Sequence, residues 1–430
     1  MNEIEDKTDI VLKENSKVKL KNTFRSLKYR NFRLYFSGQT ISLIGTWIQR
    51  IATPWLVYDM THSVFLLGLV GFLGQFPTFV IAPFSGVFVD RWNKYTLLIG
   101  TQIAAMLQAL VLSIFFLIGI LQIWHIIVLN IILGIINAFD TPARQSFIIQ
   151  MVDKKEDLGN AIALNSSMVN LARIIGPSIA GVLIATTGEG MCFLLNAISY
   201  IFVLVSLFLM KFDKKEKINK QKDMFQELKA GWKYAFNFLP IKSILLLLTT
   251  ISLMGMPYSV LMPAYAQVFL KGGANTFGFL MGASGIGAIS GALFLASKKN
   301  IQGLEKIMTM AAFVFGIGIV LLSLVPNFYV ALTFMVITGL GMMLQIATSN
   351  TILQTIVEDE KRGRVMSLYT MAFMGTAPFG SLLAGSLAHK IGTPNTLLIS
   401  GLTCIVAGAL FARKLPKIKT EIDMVLIKYN

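Results

Sequence analysis

Two arginines stand in stretches where charge is costly. Arg50 and Arg173 each lie near the middle of a long apolar run. Placing an arginine at that depth costs about 2.5–3.5 kcal/mol on insertion scales, so such a residue faces a cavity or a partner. A guanidinium is always charged and offers a rigid fork of donors, which suits carboxylate or phosphate. Gln39, Ser42, Thr46 and Thr53 share a helical face with Arg50, and Ser166, Asn170 and Pro177 share one with Arg173. The acids in or beside apolar runs, Asp59, Asp90, Asp140 and Glu189, fall at their ends, and Asp59 points away from Arg50. Two cations without a matching acid favour an anionic or acceptor-rich solute. The alternative is that both bond to backbone carbonyls or to Gln and Asn neighbours. Later in the chain, Thr338, Met342, Gln345 and Ser349 share one face, and Tyr258, Tyr369 and Phe373 suit either aromatic cargo or packing. The expected cavity set is Gln39, Thr46, Arg50, Asn170, Arg173, Tyr258, Gln345 and Tyr369.

These residues need apolar helices to position them. The chain has 430 residues, 55% hydrophobic and 14% charged, with a mean hydropathy of +0.67. A bilayer core of about 30 Å takes about 20 apolar residues in a helix. Twelve stretches meet that length: about 34–58, 64–89, 96–119, 123–145, 159–186, 191–210, 241–266, 275–297, 305–325, 328–350, 364–388 and 393–413. The expected fold class is an all-α membrane protein.

Charge sets the orientation. Of the 38 Lys and Arg, all but Arg50, Arg173, Lys271 and Lys390 fall on one side of these twelve spans. Basic loops stay in the cytoplasm, so both termini are expected there. The same rule accounts for the net charge of +16 and removes the case for nucleic acid. Cys192 and Cys404 sit in apolar runs and imply no disulfide framework. The first 33 residues are polar, so the first span is expected to act as its own insertion signal.

The sequence repeats. Gly159–Gly188 aligns without gaps on Gly363–Gly392, matching Gly159, Leu164, Gly176, Ala180, Gly181, Leu183 and Gly188 to Gly363, Leu368, Gly380, Ala384, Gly385, Leu387 and Gly392. This predicts two homologous six-helix bundles, 34–210 and 241–413, with a site between them near the midplane. Around them lie an amino-terminal tail at 1–33, a linker at 211–240 and a tail at 414–430. Phe225, Leu228, Trp232, Phe236 and Leu239 recur at helical spacing beside lysines, which predicts a helix lying on the anionic leaflet.

The turn after the second span reads Gly86-Val-Phe-Val-Asp90-Arg91-Trp-Asn93-Lys94. It resembles the signature loop of the major facilitator superfamily, with Asn93 in place of the second glycine and Tyr95 in place of the second base. The resemblance implies a cytoplasmic latch of Gly86, Asp90, Arg91 and Lys94, completed by Asp140 with Arg144 one turn beyond. Gly176, Pro177 and Gly181 in the fifth span resemble the antiporter motif that marks exporters of that superfamily. The longer stretches SLIGTWIQRIATPWLVYDMTHS and NLARIIGPSIAG are similar to the branch containing enterobactin exporters and macrolide-efflux permeases. That implies a secondary transporter of the bacterial inner membrane, exporting a small amphiphilic or anionic molecule, siderophore- or drug-like, by alternating access. Import, lipid or lysolipid transport, and a non-transporting scaffold or sensor are the alternatives.

The expected partners are a small-molecule substrate, a coupling proton and the bilayer, with the protein a monomer. Asn130 stands where proton-driven relatives often carry arginine, which weakens the proton's case. His62, His125 and His389 lie near the outer surface. No metal site, cofactor or catalytic cluster is expected, and no nucleotide-binding motif appears.

Overall fold

The computed structural model describes residues 24–211, 233–298 and 303–429; the side chains at 82–83, 86–87, 90–91, 155, 359–360 and 426–429 lie outside that description. So does most of the expected leaflet helix, including Phe225, Leu228 and Trp232. The described residues form twelve long helical segments and no strand.

A short 3-10 turn at Arg25–Lys28 precedes α1 (Arg30–Thr61). Then come α2 (Val64–Arg91), α3 (Lys94–Leu117), α4 (Ile123–Gln150), α5 (Lys155–Thr187) and α6 (Glu189–Phe208). In the second half, α7 is a composite over Leu239–Phe269, followed by α8 (Ala274–Ala296), α9 (Leu304–Leu324) and α10 (Phe328–Ile356). Helix α11 joins Asp359–Thr370, Met371–Gly375 and Ala377–Ile391, and α12 covers Thr393–Tyr429.

Local chemistry places the ends. Ser63 caps α2 by accepting from the Leu66 amide at 3.3 Å, and Asn93 caps α3 through the Thr96 amide at 3.1 Å. Both satisfy donors that a helix start leaves free. Asn93 therefore replaces glycine in the signature loop with a residue that has its own use there. Gly188 and Gly392, the last pair in the sequence repeat, end α5 and α11 with φ of +80° and +84°. That conformation is strained for a side-chain-bearing residue.

Eleven of the twelve segments are long and apolar enough to cross a membrane. The exception is α1, which spends its length on Gln39, Thr46, Gln49, Arg50 and Thr53. Beyond its expected end at 413, α12 continues as helix to Tyr429. Ile418 and Ile422, one turn apart, are buried and hold that extension against the protein.

The packing has an internal twofold pattern. Helix α1 lies on α5, α2 on α4, and α3 on α4 and α6; α8 lies on α10, and α9 on α10 and α12 in the same way. The halves meet chiefly through two matching seams, α5 on α8 and α2 on α11. In both, glycine faces glycine. A Cβ on Gly181 would come within 2.9 Å of the Gly278 Cα, and one on Gly385 within 2.7 Å of the Gly68 Cα. Small residues let helix backbones approach closely in lipid.

These glycine contacts lie toward the end of the molecule away from the termini, called distal below. There Trp55 of α1 stacks on Phe277 of α8, rings 6.0 Å apart, and the apolar core runs from one half into the other. Toward the termini the core divides. Phe32, Tyr35, Leu98, Phe147 and Met168 form a cluster belonging to the first half alone. The molecule is closed distally and parted at the end that carries the termini.

Candidate functional site: a cavity between the halves

A cavity of about 480 Å³ occupies the middle of the molecule, lined from both halves. Its character comes from α1. Thr46, Arg50 and Thr53 recur at helical spacing on the lining face, with Trp47 beside them. Arg50 lies deep in the protein, yet its side chain keeps a large free surface, because the space next to it is cavity. From α5, Arg173 enters the same space.

One indole serves both cations. The Arg50 guanidinium carbon is 5.1 Å from the centre of the Trp47 ring, and that of Arg173 is 5.9 Å away. The ring face is electron-rich and attracts cations without neutralising them. Arg173 also reaches Met342 of α10, Nη2 to Sδ 3.6 Å, so it touches both halves. Among the described residues neither arginine pairs with a carboxylate, and no Asp, Glu or His lines the cavity. Asp59 is engaged elsewhere, near the distal end, accepting from Gln267 at 3.5 Å.

Uncharged polar groups are interspersed in a wall that is otherwise mostly apolar. Asn196 of α6 donates to Gln49 at 2.6 Å, and Gln49 donates to Gln108 of α3 at 3.0 Å. This amide ladder holds α1, α3 and α6 in register. Tyr200 sits beside Thr46 and acts on Arg50. Tyr258 of α7 shares a hydrogen bond with Ser284 of α8 at 2.8 Å. Phe277, Phe373, Met281 and Met256 supply apolar surface. The arrangement can hold a solute with one acceptor-rich or anionic part and one flat apolar part.

Of the residues expected in the cavity, Thr46, Arg50, Arg173 and Tyr258 line it, whereas Gln39, Asn170, Gln345 and Tyr369 do not. Gln39 is buried nearer the first half's own core. Asn170 lies one turn before Arg173, off the lining. Gln345 donates to Ser349 at 3.3 Å, and Tyr369 donates to the Ile346 carbonyl at 3.1 Å, both within the second half. Sequence reasoning missed Trp47, Tyr200, Asn196 and Asn137. A signal existed for Asn137: it follows Asn130 by two helical turns, so the pair marks one polar face of α4. Sequence reasoning also passed over Glu305, an acid buried at the start of α9.

The expected latch is described only in part, because the side chains of Gly86, Asp90 and Arg91 lie outside the described set. Lys94 opens α3. Asp140 is buried near the terminus-bearing end of α4 and forms an ion pair with Arg144. Its carboxylate also accepts from Thr101 at 2.9 Å and Gln102 at 2.6 Å, both on α3. The motif in α5 divides its glycines between two neighbours. Gly176 faces α1, where a Cβ would meet the Ile44 carbonyl oxygen at 3.3 Å, and Gly181 faces α8. Pro177, between them, lines the cavity.

At the same end, Asp157 of α5 holds the amino-terminal turn. It pairs with Arg25 at 3.0 Å and Lys28 at 2.6 Å and accepts from the Tyr29 hydroxyl at 2.7 Å. The Ser26 amide donates to Asn160 at 3.0 Å.

Known proteins share this architecture. The family model for transmembrane secretion effectors matches residues 21–427. The staphyloferrin A transporter of Staphylococcus aureus is 29% identical over 394 residues, covering 90% of this chain and 98% of its own. Macrolide efflux protein A of Streptococcus pyogenes is 24% identical over 400 residues, 91% of this chain and 98% of its own. Among solved structures, a bacterial homologue of the human lysosomal transporter Spinster, inward-facing and unoccupied, superposes with a TM-score of 0.67 at 13% identity, covering 91% of this chain and 98% of that one.

Proposed function

The chain belongs to the transmembrane secretion effectors of the major facilitator superfamily, and from that premise we propose that it exports a small anionic or amphiphilic molecule from a bacterial cell by alternating access. The cargo class is siderophore-like or drug-like, as the names of the relatives suggest. In this reading the terminus-bearing end is cytoplasmic, a placement that the distribution of Lys and Arg supports. The halves at 34–210 and 241–413 rock about the cavity, joined by the linker at 211–240. Asp90, Arg91 and Asp140 fasten the cytoplasmic end when it closes. The protein works as a monomer.

The observation that carries this reading is the pair of guanidiniums facing the cavity without a carboxylate. A binding-site cation left unneutralised by the protein is available to the cargo.

The test is efflux in whole cells and uptake into inside-out vesicles, with anionic and neutral candidates compared. Arg173→Ala should lower transport of anionic cargo by tenfold or more, about 1.4 kcal/mol, and leave neutral cargo within a factor of about two. An equal loss for both classes removes the electrostatic part of the proposal. Faster uptake into right-side-out vesicles reverses the direction.

A further inference from the structure

We infer that transport is an exchange of anions: the empty carrier is locked by its own two arginines, and only an anion bound between them lets the halves change places. The inference rests on the cargo reading above and adds what must return.

The position of Arg173 is the first observation. Just distal to it, α5 packs on α8: Gly285 would place a Cβ 3.1 Å from the Arg173 carbonyl oxygen, and the contacts continue to Gly181 on Gly278. Arg173 thus stands at the inner lip of the distal closure and also touches Met342 of the other half. The halves cannot separate distally without moving this guanidinium from one exit of the cavity to the other.

The second observation concerns charge. Among the described residues, the charged groups that act on Arg50 are Arg173 and Arg144, both positive. Arg144 is answered by Asp140, whereas Arg50 and Arg173 have no carboxylate among the described residues. Trp47 is shared between them, and an indole face offers only quadrupole attraction.

With the terminus-bearing end parted, water reaches Arg50, whose side chain is exposed to the cavity. Passage to the opposite state goes through a form closed at both ends. There the water thins, and two like charges lie near one ring in a low-dielectric enclosure. An unpaired buried charge is strongly unfavourable, and a bound anion removes that penalty. A proton cannot do so, because it brings a third positive charge beside the two guanidiniums, and among the described residues no acid or imidazole lines the cavity to exchange one. Return of the carrier therefore calls for a second anion, organic or inorganic, moving inward.

Spin labels across the distal closure test this without knowledge of the natural cargo. Labels go on His62→Cys and Lys390→Cys, both exposed, in a Cys192→Ser, Cys404→Ser background. The protein sits in phosphatidylcholine nanodiscs in zwitterionic buffer, and benzene-1,3,5-tricarboxylate is the probe anion. Without the probe, wild type should show only the short, closed distance. The folded double variant Arg50→Gln, Arg173→Gln should populate the distally open form about tenfold more, with no anion present. Probe-induced opening of wild type further supports exchange and marks polycarboxylates as ligands. Two outcomes overturn the inference: wild type opening without a polyanion or on mild acidification alone, or the folded double variant remaining shut. Thermal stabilisation by the probe is scored separately. If polyanions stabilise a wild type that opens freely without them, exchange fails while the cargo reading survives.

Discussion

Trp47 does more for the cavity than its size suggests. It holds two guanidiniums by one ring while its Cβ packs against Gly176. Trp47→Ala should free both arginines from a shared position and weaken binding of an anionic probe about tenfold, measured by titration calorimetry. Asp140 has a different task, since its buried carboxylate answers a half-buried base. Asp140→Asn would leave Arg144 without its partner, at a cost of about 3–5 kcal/mol. A lower unfolding midpoint, with anion binding retained in the surviving fold, is the expected result. The arginines were legible in the sequence because charge inside an apolar run is rare. Gln39 was misplaced for a geometric reason. Helical spacing reports which face a residue is on, but the cavity occupies only the middle turns of that face. Gln345 looked equally available, yet a hydroxyl one turn along its own helix takes its donor.

The helices carry their own tests. Gly278 and Gly385 each face a glycine backbone across a seam, with an added Cβ only 2.6 Å and 2.7 Å from the opposing Cα. Gly385→Val should hold α2 and α11 apart distally. Labelling of a cavity cysteine from the terminus-bearing side should then fall, and labelling from the other side rise. Gly363→Val is the control, because nothing stands within 4 Å of a Cβ there. Two of the second half's helices also change winding: α7 has a π turn at Ile251–Gly255 and α11 one at Met371–Gly375. The Ser252 hydroxyl donates to the Phe373 carbonyl and so joins the two turns beside the cavity. Irregular winding of this kind clusters at functional sites. Ser252→Ala should leave folding almost unchanged, by about 1 kcal/mol, and slow turnover more than it weakens binding. The twelve spans and their order could be read from hydropathy. The π turns could not, because an extra residue in a turn depends on which neighbour pulls the backbone out of line.

The whole molecule is two similar bundles pressed together at one end and parted at the other. The repeat between Gly159–Gly188 and Gly363–Gly392 anticipated the twofold relation, since its terminal glycines end α5 and α11 in the same backbone conformation. Which end is parted was not legible, because both states of such a carrier share one sequence. The amino-terminal turn is fastened to the first bundle by Lys28 and Arg25 on Asp157. The bond to Asp157 is the main reason the Lys28 ammonium is held above its ordinary value. A raised ammonium keeps its contribution through neutral pH and loses it only as pH climbs past the raised value. Tryptic cleavage at Arg25 should therefore stay slow across the neutral to mildly basic range, with no quickening as pH rises toward the ordinary lysine value. The clasp also has a practical use. A fluorophore at Phe24 would travel with α5, and an acceptor on exposed Lys417 of α12 would travel with the opposite bundle. Energy transfer between the two dyes would then report each stroke of the carrier from outside, with nothing placed in the path of its load.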